Sequence, residues 1–263
     1  MRRIGLLTLM VMPCCQAPGY GQTSPARPAG LDAGRVTALA KMYFRDSAEL
    51  PMDVAVTTVV TDARGKLKRR SQSSVRFVFR GYNQEAGKFS FRSNSGWFNT
   101  RALRESLSGD LAVFAAAMRL APAKDWSPHL EIQQPAQPGE PFLVSAKDGE
   151  CPEFKLLRNW VFPEKLCISA QFRLAGDPAN DLVFQHFSFD VTNLPATAKV
   201  ADFGDVQVLS FHSEGDFQKA SLPGEAQPYL LPKQVVTSVA TSKGKMVITN
   251  QYAPRIQKTP AKR

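Results

Sequence analysis

The sequence predicts an α+β fold that is mainly antiparallel β, a sheet covered by an N-terminal helix and a mid-chain amphipathic helix. Three observations predict it. Between Asp53 and Arg92, Val75, Phe77 and Phe79 alternate with Arg76, Val78 and Arg80, and Phe89 and Phe91 alternate with Lys88, Ser90 and Arg92. Period two is that of a strand with one face turned to an apolar environment. After Thr100 the period changes, and Leu103, Leu107, Leu111, Phe114 and Met118 fall on one face at helical spacing. Short alternating runs separated by Gly, Asn, Asp and Ser then continue to Tyr252. The aromatic sheet face needs an apolar cover, and the chain's own helices, a second sheet or a bound apolar ligand would each supply one.

In chain order, Asp32 is placed to cap a helix running to about Ser47, with Val36, Leu39, Ala40, Tyr43 and Phe44 at helical spacing, and Pro51 forbids its extension. Val54, Val56, Thr58 and Val60 form the next alternating run, closed by a turn at Asp62 to Lys66. The return strand runs from about Leu67 to Arg80, where Gly81-Tyr82-Asn83 is expected to break it, and Lys88 to Ser93 follows. Pro122, Pro128, Pro135, Pro138 and Pro141 mark 121–141 as a surface loop. Phe142 to Ser145, Glu153 to Arg158 and Lys165 to Leu174 read as short strands. Asp177 to Asp181 is a turn, and Leu182 to Val191 is a strand with Phe187, Phe189 and Val191 on one face and Phe184, His186, Ser188 and Asp190 on the other. Val206 to Ser213 is another strand, followed by a loop at Asp216 to Pro223. Gln234 to Thr241 pairs with Lys245 to Tyr252 across Ser242-Lys243-Gly244.

The first residues carry the marks of an export signal: Arg2 and Arg3, the apolar run Ile4 to Met12, then Pro and small residues. That run is far short of the ~20 residues a membrane-spanning helix requires. The expected organisation is a signal over 1–21, a Pro- and Ser-rich spacer over 22–31, one domain over 32–253 and a disordered basic tail over 254–263. Cys14 and Cys15 keep open a lipid-anchored N-terminus, although Val11, Met12 and Pro13 match a lipoprotein signal poorly. In an exported chain the remaining pair, Cys151 and Cys167, is expected to form a disulfide contributing about 3 kcal/mol through loop closure.

The net charge is +10, which favours anionic partners. Lys66, Lys68, Arg69 and Arg70 form the one dense cluster, and no nucleic-acid motif accompanies it. His129, His186 and His212 lie in no recognisable catalytic motif. The chain has no Gly-x-Ser-x-Gly elbow, His-Glu-x-x-His helix, phosphate loop or Cys-x-x-Cys. Asp202-Phe203-Gly204 copies a kinase tripeptide without the loops that would give it meaning. The best polar cluster is His212, Glu214 and Asp216, which on one extended strand face could meet a metal ion, although Gly215 makes a turn or bulge there an equal expectation. No cofactor is expected.

An exported chain that opens with a helix, continues into long antiparallel strands with aromatic faces and interposes an amphipathic helix resembles the periplasmic lipoprotein-carrier superfamily. The closing hairpin, Tyr229-Leu230-Leu231-Pro232 through Gly244 to Tyr252, is similar to the late proline-then-strand pair of that group. The proline-rich segment and the internal cysteine pair depart from it. The resemblance implies that the sheet is a strongly curved sheet or incomplete barrel over those helices, with a hollow that holds acyl chains. The expected function is therefore a non-enzymatic envelope protein binding a lipid or other apolar ligand against Val75, Phe77, Phe79, Phe89, Phe91, Leu107, Leu111 and Phe114. The same residues would also make a closed core. The alternative is an envelope interaction module using its basic strand face on an anionic polymer or protein, with a hydrolase third.

Overall fold

The computed structural model describes residues 30–43, 50–83, 88–93, 130–137, 139–146, 153–154, 160–161, 166–177, 181–194, 196–200, 202–221 and 226–255. Among them one helix, α1 (Ala33–Tyr43), precedes β1 (Leu50–Asp62), β2 (Leu67–Asn83), β3 (Lys88–Ser93), β4 (Leu130–Gln133), β5 (Phe142–Ala146), β6 (Glu153–Phe154), β7 (Trp160–Val161), β8 (Leu166–Ala175), β9 (Val183–Val191), β10 (Ala198–Val200), β11 (Gly204–Val206), β12 (Val208–Ala220), β13 (Tyr229–Thr241) and β14 (Gly244–Pro254).

Helix α1 starts where its sequence says it should. Asp32 Oδ1 accepts the Arg35 amide at 2.8 Å, and the Val36 amide reaches the Asp32 carbonyl at 3.2 Å. That side-chain bond satisfies an amide the first turn would otherwise leave unpaired. The Gln134 side chain then clasps Leu31, donating to its carbonyl at 2.8 Å and accepting its amide at 3.3 Å, which ties the helix entry to the chain beyond β4.

One sheet runs in the order β3-β2-β1-β14-β13-β12-β9-β8-β5-β4, with β6 pairing β8, and a small second sheet runs β11-β10-β7. Every pair is antiparallel. Two meanders, β1-β2-β3 and β12-β13-β14, meet where β1 pairs β14 from Met52↔Pro254 to Asp62↔Gly244. The edge strands β3 and β4 do not pair with each other among the described residues, so the sheet is open rather than closed into a barrel. Of the two predicted helices, the second, over Leu103 to Met118, lies outside the described residues, as do 22–29 of the spacer, 256–263 of the tail and 44–49 at the expected end of the first helix. The first two residues of the expected tail are described, Pro254 ending β14 and Arg255 pairing with Asp53.

Several boundaries differ from the sequence reading for identifiable reasons. Gly81-Tyr82-Asn83 does not end β2. A register shift between Phe79 and Tyr82 absorbs the irregularity and pairing with β3 resumes at Tyr82↔Phe89. β4 lies within the segment expected to be a loop, because Leu130 and Ile132 alternate with Glu131 and Gln133 over too few residues to stand out among flanking prolines. The loop expected at Asp216 to Pro223 is strand as far as Ala220, with a register shift at Asp216/Phe217 that places Pro232 opposite Phe217. A bulge is where a sheet tolerates a proline.

The apolar face is continuous across the sheet. Buried on β1 are Leu50, Met52, Val54, Val56 and Val60, and register carries the same face to Met246 and Tyr252 on β14, Val235 and Val239 on β13, Phe211 on β12, Phe187 and Phe189 on β9 and Phe172 on β8. Two elements cover parts of it. Leu31, Val36 and Ala40 of α1 and its lead-in join the core cluster, and so do Ala198, Val200, Phe203 and Val206 from the small sheet. Helix and second sheet, two of the covers the sequence left open, are both used.

Candidate functional site

Part of the predicted apolar site lies among the described residues. Val75 is buried and stands opposite Val54. Phe77 pairs with Met52, and Phe79 pairs with Leu50 on one side and Phe91 on the other, so the backbone brings these positions to the β1-β2-β3 end of the sheet. Leu107, Leu111 and Phe114 lie outside the described residues. Val78, expected on the polar side of β2, is buried as well.

A second aromatic region, on β8, β9 and β12, is larger than the sequence suggested. Phe172 meets Phe184 edge-on at 6.1 Å, Phe184 meets Phe217 at 6.3 Å, Phe217 meets Phe187 at 5.3 Å, and Phe189 stacks on Phe211 at 6.0 Å. Edge-on and offset geometries are those that aromatic quadrupoles favour. Phe184 corrects an expectation. Strict alternation put it beside His186 on the polar face, yet it is fully buried. Pairing passes from Arg173↔His186 to Leu174↔Phe184, so Gln185 is the extra residue of a bulge and Phe184 turns inward. Gly215 serves the same cluster. A Cβ there would stand 2.6 Å from Phe187 Cε1 and 2.7 Å from the Gln234 carbonyl oxygen, so only glycine lets that ring lie across β12.

The polar face of the same strands carries the histidines. His186, Ser188 and Asp190 on β9 run antiparallel to His212, Glu214 and Asp216 on β12, giving the pairs His186↔Asp216, Ser188↔Glu214 and Asp190↔His212. Each imidazole Nδ1 stands 2.9 Å from an aspartate Oδ1 on the other strand, and His212 Nε2 lies 3.8 Å from Glu214 Oε2. The predicted trio His212, Glu214 and Asp216 does share one face on a regular strand, but Asp216 serves His186 rather than His212. Among the described residues no group of three or more His, Cys, Asp or Glu side chains comes together to hold a metal ion. Sequence reasoning missed the cross-strand pairing, although its signal is there: His-x-Ser-x-Asp and His-x-Glu-x-Asp, at the same spacing on neighbouring strands.

At the opposite end of β1, Asp53 lies between two arginines. Arg255 and Arg76 both donate to its carboxylate, Arg76 at 3.4 Å. The Arg255 hydrogen bond is the largest influence and holds the Asp53 carboxyl below its ordinary value, although partial burial pushes the other way. A depressed carboxylate adds stability above its unfolded pKa and loses it as pH falls through the folded value. With the Asp53 side chain 40% exposed, solvent screening limits the effect. Asp53→Asn is expected to cost no more than about 1 kcal/mol at neutral pH and nothing in acid, below the folded pKa. Urea denaturation at both pH values checks this, and an equal cost at both would contradict the ionic origin.

Cys167 sits half-buried on β8, its amide bonded to Asn193 Oδ1, whereas Cys151 lies outside the described residues.

No protein-family model matches the chain, and no curated protein matches it. Among solved structures the chain is similar to a LolA superfamily protein from Nitrosomonas europaea, over 88% of this chain and 96% of that one, at 9% identity and a TM-score of 0.35. The likeness is one of layout. At that identity and score it carries nothing about ligand or partner.

Proposed function

We propose that this chain is an exported, non-enzymatic envelope protein that holds a lipid or other apolar ligand between a curved sheet and its helical cover, on the face predicted from Val75, Phe77, Phe79, Phe89, Phe91, Leu107, Leu111 and Phe114. One observation carries the reading: among the described residues the apolar face is much wider than the one helix that covers part of it. Ten hydrogen-bonded strands span roughly 43 Å at ~4.8 Å per step. The 11 residues of α1 make a cylinder only ~16 Å long and ~10 Å across. The small sheet covers one end more. In this reading the stretch with Leu107, Leu111 and Phe114 and an acyl ligand share the remainder, a concave apolar site of the usual kind for such ligands.

Export to the periplasm or beyond belongs to the same proposal, as do the alternative of an anchor at Cys14 or Cys15 and the Cys151–Cys167 disulfide. The hydrolase reading gains no support from the histidines: an aspartate at each Nδ1 is the orienting contact a triad also uses, but the Nε2 of His212, which would face a nucleophile, lies 3.8 Å from the Glu214 carboxylate instead.

Titration with a fluorescent fatty acid tests the proposal. Saturable binding is expected, weakened about tenfold in Phe77→Ala or Phe89→Ala as apolar contact is lost. Absence of saturable binding to the wild-type protein would contradict it.

A further inference from the structure

Three turns meet at one end of the sheet. The β1–β2 turn closes through the Asp62 amide to the Lys66 carbonyl at 2.9 Å. It lies beside the β13–β14 turn, since Asp62 pairs with Gly244 and Thr61 with Lys245. The third, between β10 and β11, inserts Phe203 beneath them. Lys68 Nζ stands 5.7 Å over the Phe203 ring, Lys243 Nζ donates to the Phe203 and Asp205 carbonyls at 3.1 and 3.2 Å, and Arg69 pairs with Asp202 at 2.6 Å. The chance kinase tripeptide is thus a plug that locks two hairpins side by side.

The locked surface is basic. Arg64, Lys66, Arg70 and Lys245 are exposed there together with Lys68, Arg69 and Lys243. The carboxylates at this end are Asp62, whose Oδ1 accepts the Arg64 and Lys66 amides of its own turn, Asp202, held by Arg69, and Asp205. They do not balance the cations. The same end holds Leu67 and Leu209, the exposed large apolar residues among those described, each 56% exposed. One exposed leucine needs no explanation; two within one basic end do. Register places them in a single cross-strand row, Leu67↔Thr61↔Lys245↔Ala240↔Ser210, with Leu209 beside Ser210 at a register shift. Four strand steps separate them by roughly 19 Å.

We infer that this end of the sheet docks on an anionic lipid bilayer, its cations meeting headgroup phosphates and its two leucines entering the apolar boundary. Cations interleaved with widely spaced apolar side chains suit a broad surface that is anionic outside and apolar beneath. A soluble polyanion gives leucines nothing to enter, and a protein partner would favour a compact apolar centre over two distant points. The inference does not rest on the carrier reading, because a protein with a filled core could dock in the same way.

Co-sedimentation of the purified exported protein with phosphatidylcholine vesicles, with and without phosphatidylglycerol, tests it. Binding is expected only with phosphatidylglycerol present, and added salt should weaken it. Arg64→Gln, Lys66→Gln and Arg70→Gln combined should lower partitioning roughly a hundredfold. Leu67→Ser with Leu209→Ser should lower it roughly tenfold. All five side chains are exposed, so circular dichroism and the urea midpoint should be unchanged. Failure to bind phosphatidylglycerol vesicles, equal binding to neutral ones, or binding indifferent to the leucine pair would overturn the inference. In the last case, tight association with soluble polyphosphate would identify an anionic polymer as the partner instead.

Discussion

Phe184→Ala is expected to destabilise the protein by about 3–5 kcal/mol. The side chain is fully buried and meets Phe172 and Phe217 edge-on. Truncation loses the transfer energy of the ring and leaves a cavity against rigid aromatic neighbours rather than adaptable aliphatic ones. The bulge at Gln185 exists to turn this ring inward, so the backbone has no easy way to refill the space. Phe184→Leu, which keeps most of the volume, should cost less. Guanidinium denaturation of the three proteins checks the series. A loss below about 1 kcal/mol for the alanine variant would mean that this part of the face is loosely filled.

Gly244→Ala is expected to cost more than about 4 kcal/mol, or to prevent accumulation of folded protein. Gly244 has φ 149°, and a Cβ there would stand 2.0 Å from the Thr61 carbonyl oxygen and 3.0 Å from Phe203 Cε1. The backbone oxygen cannot rotate away as a side chain would. The position also lies where β14 meets β1, so relief of the clash would open the pairing that joins the two meanders. Gly65→Ala is the control. Its φ of 80° is likewise disfavoured, but nothing stands within 4 Å of the new methyl, so the cost should be about 1 kcal/mol. Similar midpoints for the two variants would contradict the role assigned to the close approach at Gly244.

The strands were legible where alternation was long and turn residues were distinctive. The Asp32 cap, β3, the Asp62–Lys66 turn and the closing hairpin follow from local chemistry that tertiary contacts did not override. Phe184, Tyr82 and Phe217 were misplaced or cut off for one shared reason. Each lies at a register shift, and a single extra residue reverses the parity on which alternation depends. β7 and β10 were invisible because strands of two and three residues have no period to read. The histidine–aspartate pairs required knowing that β9 and β12 are neighbours, although β10 and β11 intervene in sequence. The basic end was half visible. The Lys66 to Arg70 run and the similar turns at Gly65-Lys66 and Gly244-Lys245 could be seen, but their adjacency, and the company of Leu67 and Leu209, arise only from the β1–β14 register.

The central claim, that the wide apolar face carries a ligand, is tested most directly by native mass spectrometry of the exported, purified protein, followed by solvent extraction of whatever it holds. The account predicts a reproducible mass above that of the mature chain, identified after extraction as a lipid or acyl compound and diminished in Phe77→Ala and Phe89→Ala. A bare mature mass that persists after incubation with envelope lipids would contradict it, whether or not the basic end still binds vesicles.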